Sequence, residues 1–249
     1  MKNTLTTSII VTCKNRLHHL RQTLPTYVLQ SDAEVIVVDY GCTQGTEQWV
    51  QENFPAATVV AVRDDPIFNL ARARNTGATK AQGRFLLFVD ADIKINHDLG
   101  NWILENAREN FYYKAPDSAT SDACGTMLCA RADWEKAGGY DEAFRGWGGE
   151  DRDIYFRFWL AGIACREFDK GSLEAIPHDN SVRQLSFADG GMGTIGNTLI
   201  AHHLYMNIKY DVQRMIGKPL SFPQRMEIMR KYVLYKPYSG AYIENKFIN

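Results

Sequence analysis

The chain has 249 residues, 45% of them hydrophobic, which is enough for one substantial core or a core with a small appended lobe. Its 28 Lys and Arg nearly balance 29 Asp and Glu, so a net charge of −1 offers no global field to attract nucleic acid or an anionic membrane. Met1–Thr7 lacks the apolar core of a signal peptide, no apolar run reaches bilayer-spanning length, and five scattered cysteines imply neither a disulfide framework nor a Cys-x-x-Cys zinc site, so a soluble, reduced, cytoplasmic protein is expected.

Strand and helix patterns alternate through the first half. Thr7–Thr12 is a short apolar, β-rich run, followed by a helix from about Leu17 to Gln30 with Leu17, Leu20, Leu24 and Val28 at helical spacing. Ala33–Tyr40 reads as a second buried strand, and Gly41 opens a loop into a helix over Thr46–Asn53. Ala57–Val62 is a third strand, Leu70–Ala81 a helix, and Phe85–Val89 a fourth strand ending at Asp90. Continuous apolar strands of this kind suit a parallel sheet covered on both faces, where ligands bind beyond the carboxyl ends of the strands. Thr12–Asn15, Asp39–Cys42 and Asp90–Asp92 all fall at such ends.

From about Gly125 the pattern changes. Gly125–Ala130 is strand-like and Ala132–Ala137 a short helix stopped by Gly138-Gly139. A helix from Glu150 to Leu160 presents Ile154, Phe158 and Leu160 as its apolar stripe, and Ala188–Gly193 reads as a flexible loop. Beyond Thr194 the chain looks largely helical. The expected division is a domain over 1–193, with halves of about 1–95 and 96–193, and a helical extension over 194–249. The basic, aromatic stretch Tyr205–Lys246 suits either a peripheral membrane contact or a helical lid packed over the rest of the chain.

Three groups of residues carry chemistry. In an extended Asp90-Ala91-Asp92 both aspartates can face one side while Ala91 faces the other. Two such oxygen ligands suit Mg²⁺ or Mn²⁺ shared with a diphosphate; solvated acids at a strand end are the other reading. Arg74 and Asn75 fall early in a helix near the same edge, where a guanidinium offers forked donors to phosphate, unless Arg74 is simply a surface residue. In Phe144–Asp153, Gly146, Gly148 and Gly149 let the backbone turn sharply and approach a ligand, and Trp147 suits the apolar face of a sugar ring. Glu150 and Asp151 would cap the next helix, and a carboxylate there can take the proton of an attacking hydroxyl. The aspartate pair leaves room for a third ligand, and His178, after the strand-like Leu173–Ile176, has the imidazole for it; a surface or core histidine is the alternative.

Together these residues resemble a glycosyltransferase of the GT-A fold over roughly residues 6–180: an α/β, Rossmann-like, mostly parallel central sheet flanked by helices, with the helical C-terminal extension outside the resemblance. Val11-Thr12-Cys13-Lys14-Asn15-Arg16, Val37-Val38-Asp39, Ala73-Arg74-Asn75-Thr76-Gly77 and Asp90-Ala91-Asp92 are similar to family-2 glycosyltransferases. Gly138–Asp153, with Gly-Trp-Gly-Gly-Glu-Asp, resembles the motif shared by β-1,4-galactosyltransferases and polypeptide N-acetylgalactosaminyltransferases. The resemblance implies that Asp39 contacts the uracil or ribose, that Thr12 and Arg16 line the nucleotide pocket, and that Arg74 lies near the diphosphate. It further implies Asp92 as the main ligand of Mn²⁺ (or Mg²⁺) beside Asp90, His178 as the ligand from the second half, Asp151 as the base of an inverting displacement, and Glu150 on acceptor or donor hydroxyls. Two departures stand out: the β-1,4-galactosyltransferases have methionine where this chain has Ala175, and a third consecutive aspartate where it has Arg152.

The expected reaction is transfer of a hexose, galactose or N-acetylgalactosamine, from a UDP-sugar to a hydroxyl of a glycan or lipid-linked glycan. A retaining transfer on the same metal site is the alternative, because the polypeptide transferases retain configuration and share the motif. A non-catalytic domain binding a glycan or a partner is another. A sugar-nucleotide pyrophosphorylase would need a glycine-rich loop with Arg and Lys after the first strand, which Val11–Asn15 lacks.

Overall fold

The computed structural model describes residues 5–116, 123–177 and 195–234. Its first half builds as the hydrophobic pattern predicts: β1 (Thr7–Cys13), α1 (Leu17–Val28), β2 (Ala33–Asp39), α2 (Thr46–Asn53), β3 (Thr58–Ala61), α3 (Leu70–Lys80) and β4 (Phe85–Asp90). The second half contributes β5 (Ile93–Ile95), α4 (Leu99–Asn106), β6 (Phe111–Lys114), β7 (Met127–Ala130), α5 (Arg131–Ala137), α6 (Glu150–Leu160), β8 (Ala164–Glu167) and β9 (Leu173–Ala175). The extension forms α7 (Ile195–Ile216), α8 (Phe222–Ile228) and a π-helical segment, Met229–Leu234. No described helix is long and apolar enough to cross a membrane, and the five cysteines are free thiols.

Seven strands form one sheet in the order β3-β2-β1-β4-β7-β6-β8. β3, β2, β1 and β4 are parallel, β7 pairs antiparallel with β4 and β6, and β8 is parallel to β6. Buried apolar side chains cover both faces of the sheet, one core gathering Ile9, Val11, Leu20 and Leu24, the other Ile10, Ile36, Phe88 and Phe158. α3 lies close on the sheet at Gly77, where a Cβ would come 2.3 Å from Ile10 Cγ2. A second, two-stranded sheet pairs β5 with β9. It brings the segment before residue 178 back to the end of β4, where the Ile176 amide donates to the Asp92 carbonyl at 2.8 Å.

Two expected apolar stripes end differently. Val28 at the end of α1 is exposed, and so is Leu160 on α6, whose buried face instead carries Asp153 beside Ile154 and Phe158. Asp153 is buried because it is paired: Arg157 one turn on lies 2.8 Å away, and Lys209 and Tyr210 reach it from α7.

α7 and the segment after it dock on this second half. Ala143 and Phe144 share an apolar cluster with Ala201, Tyr205, Leu220, Ile228 and Met229. His202, buried there, donates from Nε2 to the Arg145 carbonyl at 2.6 Å, and burial lowers its imidazole from 6.5 to about 4. The unfolded chain therefore takes up a proton below pH 6.5 that the folded chain refuses until about pH 4, so stability falls with pH across that window. From pH 7 to 5 this single group costs about 2 kcal/mol. His202→Asn should shrink the pH 7-to-5 loss measured by urea unfolding by about that amount; an unchanged loss contradicts the assignment.

Candidate active site

The carboxyl ends of β1, β2 and β4 converge as the pattern requires. β4 stops at Asp90, and Ala91-Asp92 forms a turn rather than continuing extended. The cause lies in α1: Thr23 donates to the Ala91 carbonyl at 2.9 Å, and the Tyr27 hydroxyl meets the carbonyls of Asp90 (3.2 Å) and Ile93 (2.5 Å). Buried helix side chains thus take the backbone acceptors that another strand would have used. Asp90 and Asp92 still line one cavity of about 530 Å³ while Ala91 packs into the core. Thr12 Oγ1 stands 3.5 Å from Asp90, and Arg16 Nη1 stands 3.5 Å from Asp92.

Asp39, at the end of β2, is buried and held by Arg63 (3.0 and 3.3 Å) and by the Cys42 amide (2.8 Å). Burial alone would raise its carboxyl; Arg63 and that amide outweigh burial and hold it below the usual carboxylate range. Arg63, just past β3, is a site neighbour that sequence reading missed, because only the sheet brings it beside Asp39.

Trp147, Gly148, Gly149, Glu150 and Asp151 line the same cavity from the opposite side. The expected glycine turn is present, with φ of 88°, 76° and 96° at Gly146, Gly148 and Gly149. Gly149 is also required sterically, since a Cβ there would lie 2.8 Å from the Cβ of His202. Gly149 itself occupies the helix-cap position of α6, without a side-chain cap; Glu150 and Asp151 fall in the first turn instead, where the helix dipole favours them. The loop is fastened to the first half of the chain: Asp65 receives Arg145 (3.0 Å), Arg72 (3.3 Å) and the Tyr40 hydroxyl (2.9 Å). Asn75 donates to the Tyr140 carbonyl (2.9 Å) and the Glu142 carboxylate (2.8 Å), so this side chain braces the loop rather than facing a phosphate.

Arg74 joins the two acidic groups. Its guanidinium is 1% exposed. It donates to Asp151 at 2.6 Å, to Glu150 and Asp90 at 3.4 Å each, and to the Gly125 carbonyl at 3.1 Å, against the Tyr140 ring. One buried cation thus faces three carboxylates, an imbalance that favours keeping a proton among them. Burial, then the neighbouring Asp151, pushes Glu150 up to about 8. Burial also raises Asp151, with Arg74 opposing. Glu150 is therefore the member that holds its proton at neutral pH, while Asp151 makes the short bond to Arg74 that opposes its upward shift.

For a divalent cation, Asp90 and Asp92 offer hard oxygen donors beside space for a diphosphate, a donor set that fits Mg²⁺ or Mn²⁺. His178 lies outside the described residues, and among those no three His, Cys, Asp or Glu side chains are grouped so as to hold a metal ion together. The Ala188–Gly193 stretch lies outside them too.

Residues 8–123 match the family model of glycosyl transferase family 2, and residues 104–180 match the N-terminal domain of galactosyltransferase. Among solved structures, S. aureus TarS 1-349 in complex with UDP-GlcNAc superposes with a TM-score of 0.63 at 14% identity, over 97% of this chain and 76% of that one. Against a second crystal structure of S. aureus TarS 1-349 the TM-score is 0.57 at 18% identity, over 76% of this chain and 66% of that one. The mannosyltransferase PcManGT from Pyrobaculum calidifontis, in complex with GDP-Man and Mn²⁺, gives 0.55 at 16% identity, over 96% and 78%. This chain thus spans between about two thirds and four fifths of the length of these structures. No curated protein matches the sequence.

Proposed function

We propose, for a chain that is a glycosyltransferase of the GT-A type, that it moves a hexose, galactose or N-acetylgalactosamine, from a UDP-sugar to a glycan or glycolipid hydroxyl with inversion at the anomeric carbon. The observation that carries this reading is the shared cavity: the strand-end aspartates of the nucleotide half and Asp151 of the second half open into it, bridged by Arg74.

Each residue has a task in that reaction. Asp39 and Thr12 receive the nucleoside, with Arg16 beside them. Asp90 and Asp92 would hold the divalent cation, with His178 as the ligand from the second half, and the bound cation would supply neutralisation of the diphosphate charge. Trp147 packs on the sugar ring. Glu150, keeping its proton, donates to a sugar hydroxyl or ring substituent, and Asp151 takes the proton of the acceptor hydroxyl as that oxygen bonds to the anomeric carbon. Arg74 keeps Asp151 ionised and aimed. The neighbours with UDP-GlcNAc and with GDP-Man and Mn²⁺ support a nucleotide-sugar donor and a divalent ion.

Calorimetric titration with UDP tests the metal arrangement. UDP should bind about tenfold or more tightly with Mn²⁺ than without, and Asp92→Asn should erase that difference. Equal affinity with and without Mn²⁺ in the unmodified chain counts against it. The anomeric proton coupling of the product, read by NMR, separates inversion from retention.

A further inference from the structure

The loop that presents Glu150 and Asp151 has three positive-φ glycines within four residues, a backbone with a large entropy to lose. A base must nevertheless sit within hydrogen-bond reach of the hydroxyl it deprotonates. What restrains the loop comes largely from the C-terminal extension, which contacts it at both ends and in the middle.

At the near end, Asp141 is buried and accepts from the Tyr205 hydroxyl at 2.7 Å, from Lys209 Nζ at 2.9 Å and from Arg225 Nε at 2.9 Å. Burial alone would raise this carboxyl, but Lys209 and Arg225 hold it below the usual range. In the middle, His202 donates to the Arg145 carbonyl, and its side chain fills the space beside Gly149. Phe144 stands edge-on to the rings of His202 and Tyr205, with centroids 5.0 and 5.1 Å apart. At the far end, Asp153 in the first turn of α6 pairs with Lys209 and accepts from the Tyr210 hydroxyl at 2.7 Å. Lys209 therefore touches both ends of the loop. Its side chain and those of both aspartates are at most 3% exposed.

We infer that α7 is the positioning element of the catalytic loop and that Lys209, bridging Asp141 and Asp153, is a positioning residue for Asp151; the inference rests on Asp151 being the base. Leu199, from the same helix, lines the cavity, so α7 also forms part of its wall. The extension is thereby part of the active site's construction and not an independent tail. A buried charge bridge suits this role because it has one satisfied geometry, whereas an apolar contact tolerates sliding.

The test uses the full chain. Lys209→Met should lower kcat for transfer by about 100-fold, with the donor KM within about twofold of the unmodified chain. Hydrogen exchange of amides 144–153, measured without substrate, should quicken by about tenfold while β1 to β4 stay protected. A folded Lys209→Met chain with unchanged kcat or unchanged exchange in 144–153 overturns the inference. If that variant does not fold, Tyr210→Phe, which removes one hydroxyl from Asp153, should lower kcat about fivefold and quicken exchange in the same segment; no change in either overturns it equally. Because exchange needs no substrate, an unmodified chain that transfers nothing refutes the transferase reading without touching the structural half of the inference.

Discussion

Asp151→Asn is expected to reduce transfer by about 10³-fold or more while UDP-sugar affinity stays near that of the unmodified chain. The amide keeps the size of the carboxylate and can still accept from Arg74, so the loop should hold its shape; what disappears is the capacity to take a proton. The residues proposed for the nucleotide, Asp39, Thr12 and the β4 end, belong to the parallel strands and keep their own partners in this variant. The outcome separates the two acids of the motif, because Glu150 has its proton at neutral pH already and Glu150→Gln preserves that neutral form. An Asp151→Asn chain that keeps most of its activity would move the base elsewhere.

Arg74→Met is the second substitution with a large expected effect, and it acts on two observables. Removing the guanidinium leaves the buried Glu150 beside the partly exposed Asp90 and Asp151 with no cation among them, a change that costs about 3 kcal/mol, the lower end of the range for breaking a buried pair because two of the three acids reach solvent. In a chain of this length that lowers the melting temperature by roughly 10 °C. Burial already raises Asp151 and Arg74 opposes it, so losing Arg74 raises that carboxyl further. The alkaline rise of kcat, where the base loses its proton, should then move to higher pH. Were Arg74 only a diphosphate ligand, the donor-free chain would melt where the unmodified one does and the donor KM would carry the loss. Thermal melts of the donor-free variant, with its kcat–pH profile, decide between the two.

The parts of this site visible in the sequence are those encoded locally. Four continuous apolar strands announced the parallel half of the sheet, and the acids, glycines and tryptophan of Gly146–Asp151 announced a turn into a helix with carboxylates at its start. Elements without a local signature escaped. β5 is three residues long and exists through its pairing with β9; β8 is an exposed edge strand with no buried face to alternate; α4 is a two-turn helix with Gly100 pressed against Ser31. Side-chain partners across long separations escaped as well. Arg74 meets Glu150 and Asp151 from 76 and 77 residues away, and Lys209 reads from sequence as one more cation on a helix until the fold sets it between two buried aspartates. The same blindness explains Leu160: periodicity favours the apolar residue for the inside, but Arg157, Lys209 and Tyr210 make Asp153 the buried one. Residue types and spacing name the chemistry; the sheet and α7 decide which charges meet.

The cavity between the β4 end and α6 is proposed to perform metal-assisted transfer from a UDP-sugar. The most direct measurement is UDP release from a panel of UDP-sugars, with and without Mn²⁺ and with glycan acceptors added. Release from UDP-galactose or UDP-N-acetylgalactosamine is expected to require the metal, to rise with a suitable acceptor and to be lost in Asp92→Asn. Absence of UDP release from every UDP-sugar in the presence of Mn²⁺ and acceptors, by a chain that is folded, would contradict it.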